Sequence, residues 1–434
     1  MSIDTPAQPR TGGERMLALE EARALIMALV DPLEAEQVPL EDCLDRVLTA
    51  DVVSRLTLPP WPNSAMDGFA VRSTDIAGAS AERPVRLRVI GEVAAGHEST
   101  IEVGPRSAAR ILTGAPLPAG ADAVVPVEQT DARAGAAELP EMVAVDAPAA
   151  AGAHIRPTGS DMRAGDRLLS AGSRATAAAI AVAAAGGHAE LPVRRRPRVA
   201  VLATGDELVA PGVTPGPAQI PDSNSVGLLA QAREAGAEAR SLGIARDDVE
   251  EVAERLSAAL ESADIVVVSG GVSVGAHDVV KDAFSRLGEM ALWRVAVQPG
   301  KPLAVAQAAS AAGRRVLLVG VPGNPVSSFV TFELFVRPAV RRLAGHADAP
   351  GRPIVRARLA EPVRKAVGRR AFLRVVLTEA AAGWQAALAG GQGSHVLSAL
   401  AAADGLAVVP EGVNGLPAGA EVEVIRLPST RGDR

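Results

Sequence analysis

The chain has 434 residues, a formal net charge of −6 and a pI near 5.7. That length exceeds a single hydrophobic core and predicts about three or four domains, while the acidic balance excludes a general nucleic-acid-binding face. One cysteine, Cys43, excludes an internal disulfide and fits a reducing compartment. The first fifteen residues lack the apolar core of a signal peptide. The longest bland run, Ala175–Ala185, is about half of the ~20 residues a membrane helix needs. The expectation is a soluble, cytoplasmic protein with no membrane partner.

Scarce residues carry information. Tyrosine is absent, and only three of the 44 basic residues are lysines: Lys281, Lys301 and Lys365. The four asparagines are Asn63, Asn224, Asn324 and Asn414. Asn63, Asn224, Asn324 and Lys301 all fall in Pro/Gly/Ser-rich stretches. Lys301, in Pro299-Gly300-Lys301-Pro302, stands out because arginine is the default cation of this chain, and an ammonium is not interchangeable with a guanidinium at an oxyanion site.

In chain order, apolar spacing predicts an amphipathic helix over 14–30 and a second over 40–48. From Val52 to about Arg156 the chain reads as strand and turn, with strands at 85–93, 110–112, 123–127 and 142–145. Residues 158–192 read as helical again, so a mostly-β module is inserted between two helical pieces. An α/β domain follows, from 198 to about 345. Its strands at 198–202, 265–268 and 316–319 are β-branched runs suited to a parallel sheet buried on both faces. Its helices are predicted over 228–235, 248–260, 279–287 and 326–343. After a turn-rich linker at 346–353, strands at 373–377, 384–388, 405–410 and 421–427 predict a small β-barrel or sandwich. The expected divisions are 1–50 with 157–194 as a helical N-terminal part, 51–156 as the β module, 195–345 as a three-layer α/β domain and 346–434 as the C-terminal barrel.

Three strands of the α/β region run into loops rich in small and hydroxylic residues: Ala203-Thr204-Gly205-Asp206-Glu207, Ser269-Gly270-Gly271-Val272-Ser273, and Gly320-Val321-Pro322-Gly323-Asn324-Pro325-Val326-Ser327-Ser328. Bare N–H groups at strand ends and helix starts suit phosphate. Thr204, Ser269, Gly270, Gly271, Ser273, Gly323 and Asn324 are therefore candidate anion-site residues, against the plainer reading of ordinary turn chemistry. Glu207, Asp247 and Asp278 each stand past a strand or at a helix start, and carboxylates beside phosphate loops point to Mg²⁺. Each also has a plainer reading: Asp247 with Glu250 fits a capping box, Asp278 a helix cap, and Glu207 a solvated carboxylate. Asp67 sits in an Asp-Gly turn. The six histidines show no metal-ligand spacing and no nucleophile partner, which disfavours zinc and Ser-His-Asp chemistry. Neither a Walker A array nor GxGxxG after a strand occurs.

Seven motifs occur in an order that resembles the molybdopterin molybdenumtransferase family, the MoeA and gephyrin E-domain proteins: Asn63–Val71 (NSAMDGFAV), Ile111–Pro118 (ILTGAPLP), Ile155–Met162 (IRPTGSDM), Ala203–Leu208 (ATGDEL), Ser269–Asp278 (SGGVSVGAHD), Pro299–Pro302 (PGKP) and Val321–Ser328 (VPGNPVSS). The resemblance covers nearly the whole chain. It implies an elongated homodimer that inserts molybdate into adenylylated molybdopterin, cleaves the phosphoanhydride with Mg²⁺ assistance and releases AMP, downstream of a molybdopterin adenylyltransferase. It implies functional roles for Asp67, Thr113, Arg156, Asp161, Glu207, Asp247, Asp278, Pro322 and Pro325, and contact of Lys301, Ser327, Arg369 and Ser394 with molybdate. In such dimers the β module of one subunit faces the α/β crevice of the other. The sequence departs from the pattern at Gln298, where a second basic residue is common, at Arg294, often lysine, at Phe69, usually tyrosine, and at Arg370-Ala371, usually Pro-Glu. Two alternatives stand beside this reading: a molybdopterin adenylyltransferase, and a pterin-binding paralogue without turnover.

Overall fold

The computed structural model describes residues 16–428 apart from 98, 134, 136–137, 272–277, 348–350 and 382. The chain forms two compact units, residues 37–44 with 48–192, and residues up to 36 with 45–47 and 193 onward.

The first unit is built on a five-stranded sheet in the order 123–126, 68–71, 107–111, 85–93, 142–145. All neighbours are antiparallel except 85–93 with 107–111. Phe69, Val71, Leu87, Val125 and Val143 pack on one face, and Ala70, Val93, Ile111 and Val124 on the other. The predicted helical return over 158–192 is corrected: only Ala177–Ala185 is helical, started by the Thr176 hydroxyl accepting from the Ala179 N–H at 3.2 Å. Glycines at 159, 165 and 172 take φ of +67°, +95° and +80°, which interrupts any helix before it, and Arg167–Leu169 pairs instead with Val52–Val53. The helix expected over 40–48 shrinks to a single 3₁₀ turn, Leu40–Asp42.

The second unit carries a six-stranded sheet in the order 238–245, 198–204, 265–269, 315–321, 302–309, 288–294. The first four strands are parallel and the last two antiparallel, so the sheet is mixed where a parallel one was expected. Strand 288–294 has no β-branched residue and strand 302–309 is half alanine, so both lack the β-branched runs that flag a strand. Alternate residues enter separate cores. Val199, Val201, Ile265, Val267, Leu317 and Val319 pack with helices Leu19–Met27 and Asn224–Glu234, whereas Ala200, Leu202, Val266, Val268 and Leu318 pack with Val249–Leu260 and Val279–Leu287. Burial on both faces explains the unbroken apolar strands. The first helix begins at Leu19, later than expected. The long helix from Pro325 contains a π segment, Phe332–Val336, just before Pro338, whose ring cannot accept a normal helical turn behind it.

Five further strands close a barrel: Arg370–Ala380, Gly383–Leu388, Ile354–Leu359, Glu421–Arg426 and Gly405–Val409, the last returning to the first. The short strand Val297–Gln298 joins the start of 370–380 in parallel, and the Arg370 N–H donates to the Ala296 carbonyl at 2.7 Å. This link brings the Pro299-Gly300-Lys301 loop to the barrel.

Candidate functional site

The three strand ends meet. Asn224 donates its Nδ2 both to the Ser269 hydroxyl (2.9 Å) and to the Gly323 carbonyl (2.7 Å), while the Gly270 N–H reaches the Val321 carbonyl at 3.3 Å. Gly270 has φ +100°, and a Cβ there would stand 2.3 Å from the Thr204 carbonyl oxygen, so only glycine fits. The Thr204 hydroxyl is buried beside this loop without a hydrogen-bond partner among the described residues. The crevice floor is therefore Thr204, Ser269, Gly270, Gly271 and Gly323. Ser273 lies outside the described residues. Asn224 had no assigned role in the motifs; its scarcity was the available signal.

The acidic set separates. The cap of helix Val249–Leu260 is Asp248, which accepts from the Glu251 N–H at 2.8 Å. The cap sits one residue later than predicted and is no capping box, since the Glu251 carboxylate accepts from Arg246 and Arg255 and the Asp248 N–H donates to the Arg246 carbonyl; Asp247 is left beside Asp206 and Glu207. Burial first, then the charges of Asp206 and Glu207, hold the Asp247 carboxyl above the usual carboxylate range. Asp278 does cap its helix: it accepts from the Lys281 N–H at 3.2 Å, pairs with Lys281 Nζ at 3.1 Å and is 4% exposed. No three His, Cys, Asp or Glu side chains among the described residues are grouped to hold a metal ion.

The residues matched to molybdate come together. Lys301, Ser327, Arg369 and Ser394 line one cavity of about 560 Å³, with Gln298, Pro322 and Asn324. Pro325 opens the adjoining helix, and the Val326 N–H donates to the Ser394 carbonyl at 3.0 Å. No carboxylate is among the lining residues. Arg364, which the motifs did not single out, lines the same cavity. The Lys365 ammonium donates to the carbonyls of Ala366 (3.1 Å), Arg369 (2.7 Å) and Glu411 (3.3 Å), pinning the loop that carries both arginines. Arg374 also lines this cavity and is fully buried, donating to the Gly391 and Gly393 carbonyls at 2.9 and 3.0 Å; burial lowers its pKa. In an arginine-rich chain, neither Arg364 nor Arg374 carried a sequence signal.

In the other unit Asp67 Oδ1 accepts from the Thr113 N–H at 2.6 Å and the Thr113 hydroxyl at 2.7 Å, joining residues 46 apart in sequence. These bonds, the backbone one foremost, hold the Asp67 carboxyl below the usual range. Arg156 pairs by backbone with Asn63, four residues before Asp67, and the Asp161 N–H donates to the Leu58 carbonyl at 3.1 Å. The strand Asn63–Ser64 thus pairs by backbone with Ile155–Arg156, and its Ser64 carbonyl accepts from the Gly114 N–H, next to Thr113, at 2.9 Å.

Fold and site define a protein with a mixed α/β sheet, a glycine-lined crevice at its strand ends and a cavity lined by cations beside a β-barrel. Family comparison agrees. Residues 17–187 match the "MoeA N-terminal region (domain I and II)", 200–342 the "Probable molybdopterin binding domain" and 356–427 the "MoeA C-terminal region (domain IV)". The chain is 40% identical over 415 residues to molybdopterin molybdenumtransferase 2 of Mycobacterium tuberculosis, covering 94% of this chain and 99% of that protein. It is 38% identical over 422 residues to molybdopterin molybdenumtransferase of Synechococcus elongatus, covering 95% and 100%. A crystal structure of the molybdopterin biosynthesis MoeA protein of Pyrococcus horikoshii superposes with a TM-score of 0.78 at 34% identity, covering 95% of this chain and 99% of that one. The chain belongs to the MoeA family of molybdopterin molybdenumtransferases, transferases of molybdenum cofactor biosynthesis.

Proposed function

We propose that this chain inserts molybdate into adenylylated molybdopterin, with cleavage of the phosphoanhydride and release of AMP. The observation that carries the reading is the cavity in which Lys301, Ser327, Arg369 and Ser394, from four separate stretches, converge without a carboxylate. Molybdate is a dianion, and an ammonium, a forked guanidinium and hydroxyls are the donors such an ion takes. The adjoining crevice of Thr204, Ser269, Gly270, Gly271, Gly323 and Asn324, bordered by Pro322 and Pro325, takes the pterin and its phosphate, with Ser273 on the same loop.

Mg²⁺ fits the donor set as a shared ion. Two mutually repelling carboxylates, Glu207 and Asp247, suit a cation that binds through one or two carboxylates and completes its shell with substrate phosphates. When bound, it would neutralise charge on the phosphoanhydride. Asp278 is the third acidic position assigned here, at the start of the adjoining helix. Asp67, Thr113, Arg156 and Asp161 belong to the β module, and in this proposal the module of one copy completes the crevice of a second copy in a homodimer. The four-part domain division, a cytoplasmic location and an upstream adenylyltransferase complete the proposal. No helix among the described residues is long and apolar enough to cross a membrane.

The test measures AMP formed from adenylylated molybdopterin and Mg²⁺ by the purified protein, with and without molybdate. AMP is expected only with molybdate. Pterin binding without AMP at any molybdate concentration overturns the reading in favour of a binding protein. ATP consumption that ignores molybdate points to an adenylyltransferase.

A further inference from the structure

The cavity contains two arginines that the motifs do not account for: Arg374, buried and bonded to loop carbonyls, and the exposed Arg364. Gln298, on its wall, is neutral, and its buried Oε1 has no hydrogen-bond partner. Directly in the lining stands Arg364, and neither it nor Arg369 or Lys301 is engaged in an ion pair among the described residues. In a chain where surface arginines repeatedly pair with acids, as Arg356 does with Glu421 and Arg315 with Asp31, Lys301, Arg364, Arg369 and the carbonyl-bound Arg374 line one cavity with no ion pair among the described residues, a charge arrangement waiting for an anion. Arg364 follows Val363, whose side chain is buried in the barrel core, and the strand 363–364 is paired with Gly415–Leu416. Its base is fixed even though its guanidinium is exposed.

We propose that Arg364 is a further oxyanion-binding residue, supplying from the barrel the positive charge that Gln298 does not supply from the loop. The inference rests on the cavity being the molybdate site. A guanidinium contributes two parallel N–H donors where a lysine at 298 would contribute a point charge, so the exchange keeps the charge and changes the geometry. Because Arg364 is exposed, its share of the affinity falls as salt rises over a Debye length of about 8–10 Å.

The experiment titrates sodium molybdate into the full-length protein by calorimetry, comparing wild type with Lys301→Gln, Arg364→Gln, Arg358→Gln and the double variant Arg364→Gln/Gln298→Lys. Arg358 is an exposed barrel arginine outside the cavity lining, so its variant controls for net charge. Loss of one charge-assisted contact is expected to weaken binding about tenfold in Arg364→Gln. Arg358→Gln stays within about twofold, since a distant exposed charge is screened. The double variant recovers most of the loss. If Lys301→Gln abolishes binding while Arg364→Gln matches wild type, the role of Arg364 is overturned and the cavity assignment stands. If Arg358→Gln weakens binding as much as Arg364→Gln, the effect is net charge and the inference again fails. If wild type binds no molybdate, or Lys301→Gln binds it unchanged, the cavity assignment falls and the inference with it.

Discussion

Asp247 shows how a single carboxylate records its surroundings. Its pKa is raised by burial and by Asp206 and Glu207, so the folded protein binds its proton more readily than the unfolded chain does. Its contribution to stability is therefore full below the unfolded carboxylate pKa and is lost as pH rises through the folded value, leaving ionised Asp247 a net cost at neutral pH. Asp247→Asn is expected to raise Tm at pH 7 by about 1 °C, a small figure because the side chain is only partly desolvated and keeps access to solvent, which screens its neighbours. Added Mg²⁺ should raise the Tm of wild type and not of the variant. A variant still stabilised by Mg²⁺ to the wild-type extent would remove Asp247 from the ion's ligands. The opposite sign holds at Asp67, whose lowered pKa gives stability that is present above the unfolded pKa and lost as pH falls through the folded one.

At the scale of elements, loops are set by what the helices and strands around them bury. Helix Val279–Leu287 buries Val280, Ala283 and Phe284 against the sheet, and Asp278 closes its first turn. A cap and an active-site carboxylate can be one residue, and substitution separates the two roles. Asparagine caps about as well as aspartate but carries no charge. Asp278→Asn keeps the cap but loses the Lys281 ion pair, so it is expected to lower Tm modestly and leave pterin binding near wild type while lowering AMP release by more than about tenfold, if its charge serves the reaction. Full AMP release would make Asp278 a cap alone. Asp278→Ala cannot decide this, because it also removes the cap, at a cost of about 1 kcal/mol.

For the whole molecule, the division into two compact units sets the question of how Asp67 serves the reaction. Asp67 and Thr113 lie in the unit of residues 37–44 and 48–192, and Lys301 and Arg369 in the other. A site shared across a two-fold dimer predicts complementation. Asp67→Asn and Lys301→Gln, each inactive alone, should recover activity when co-expressed, because a mixed dimer regenerates one intact site. For random pairing the recovered rate is roughly a quarter of wild type. No recovery in mixed dimers shown to form would mean that each chain builds its site alone.

The sequence by itself determined the strands of the sheet centre, because Ile265–Val268 and Val316–Val319 are buried on both faces and every position had to be apolar. It also determined the family, through glycines and prolines at positions where backbone meets backbone, as Gly270 meets Thr204. Tertiary structure decided the rest. The antiparallel strand 302–309 pairs with the edge that 315–321 offers, and 288–294 pairs with 302–309 in turn, pairings that their own residue preferences do not announce. Glycines 159, 165 and 172 interrupt the helix expected across 158–192, and Arg167–Leu169 became a strand because Val52–Val53 supplied a pairing partner that apolar spacing cannot reveal. Asp248 took the cap one residue past the expected one, since helix phase is fixed by which residues reach the core. Arg364 and Arg374 acquired a context only when the barrel closed and set them around the Lys301 loop: in one dimension an arginine among dozens is unremarked, whereas in three dimensions they line one cavity with Lys301 and Arg369 and with no carboxylate among its described lining residues.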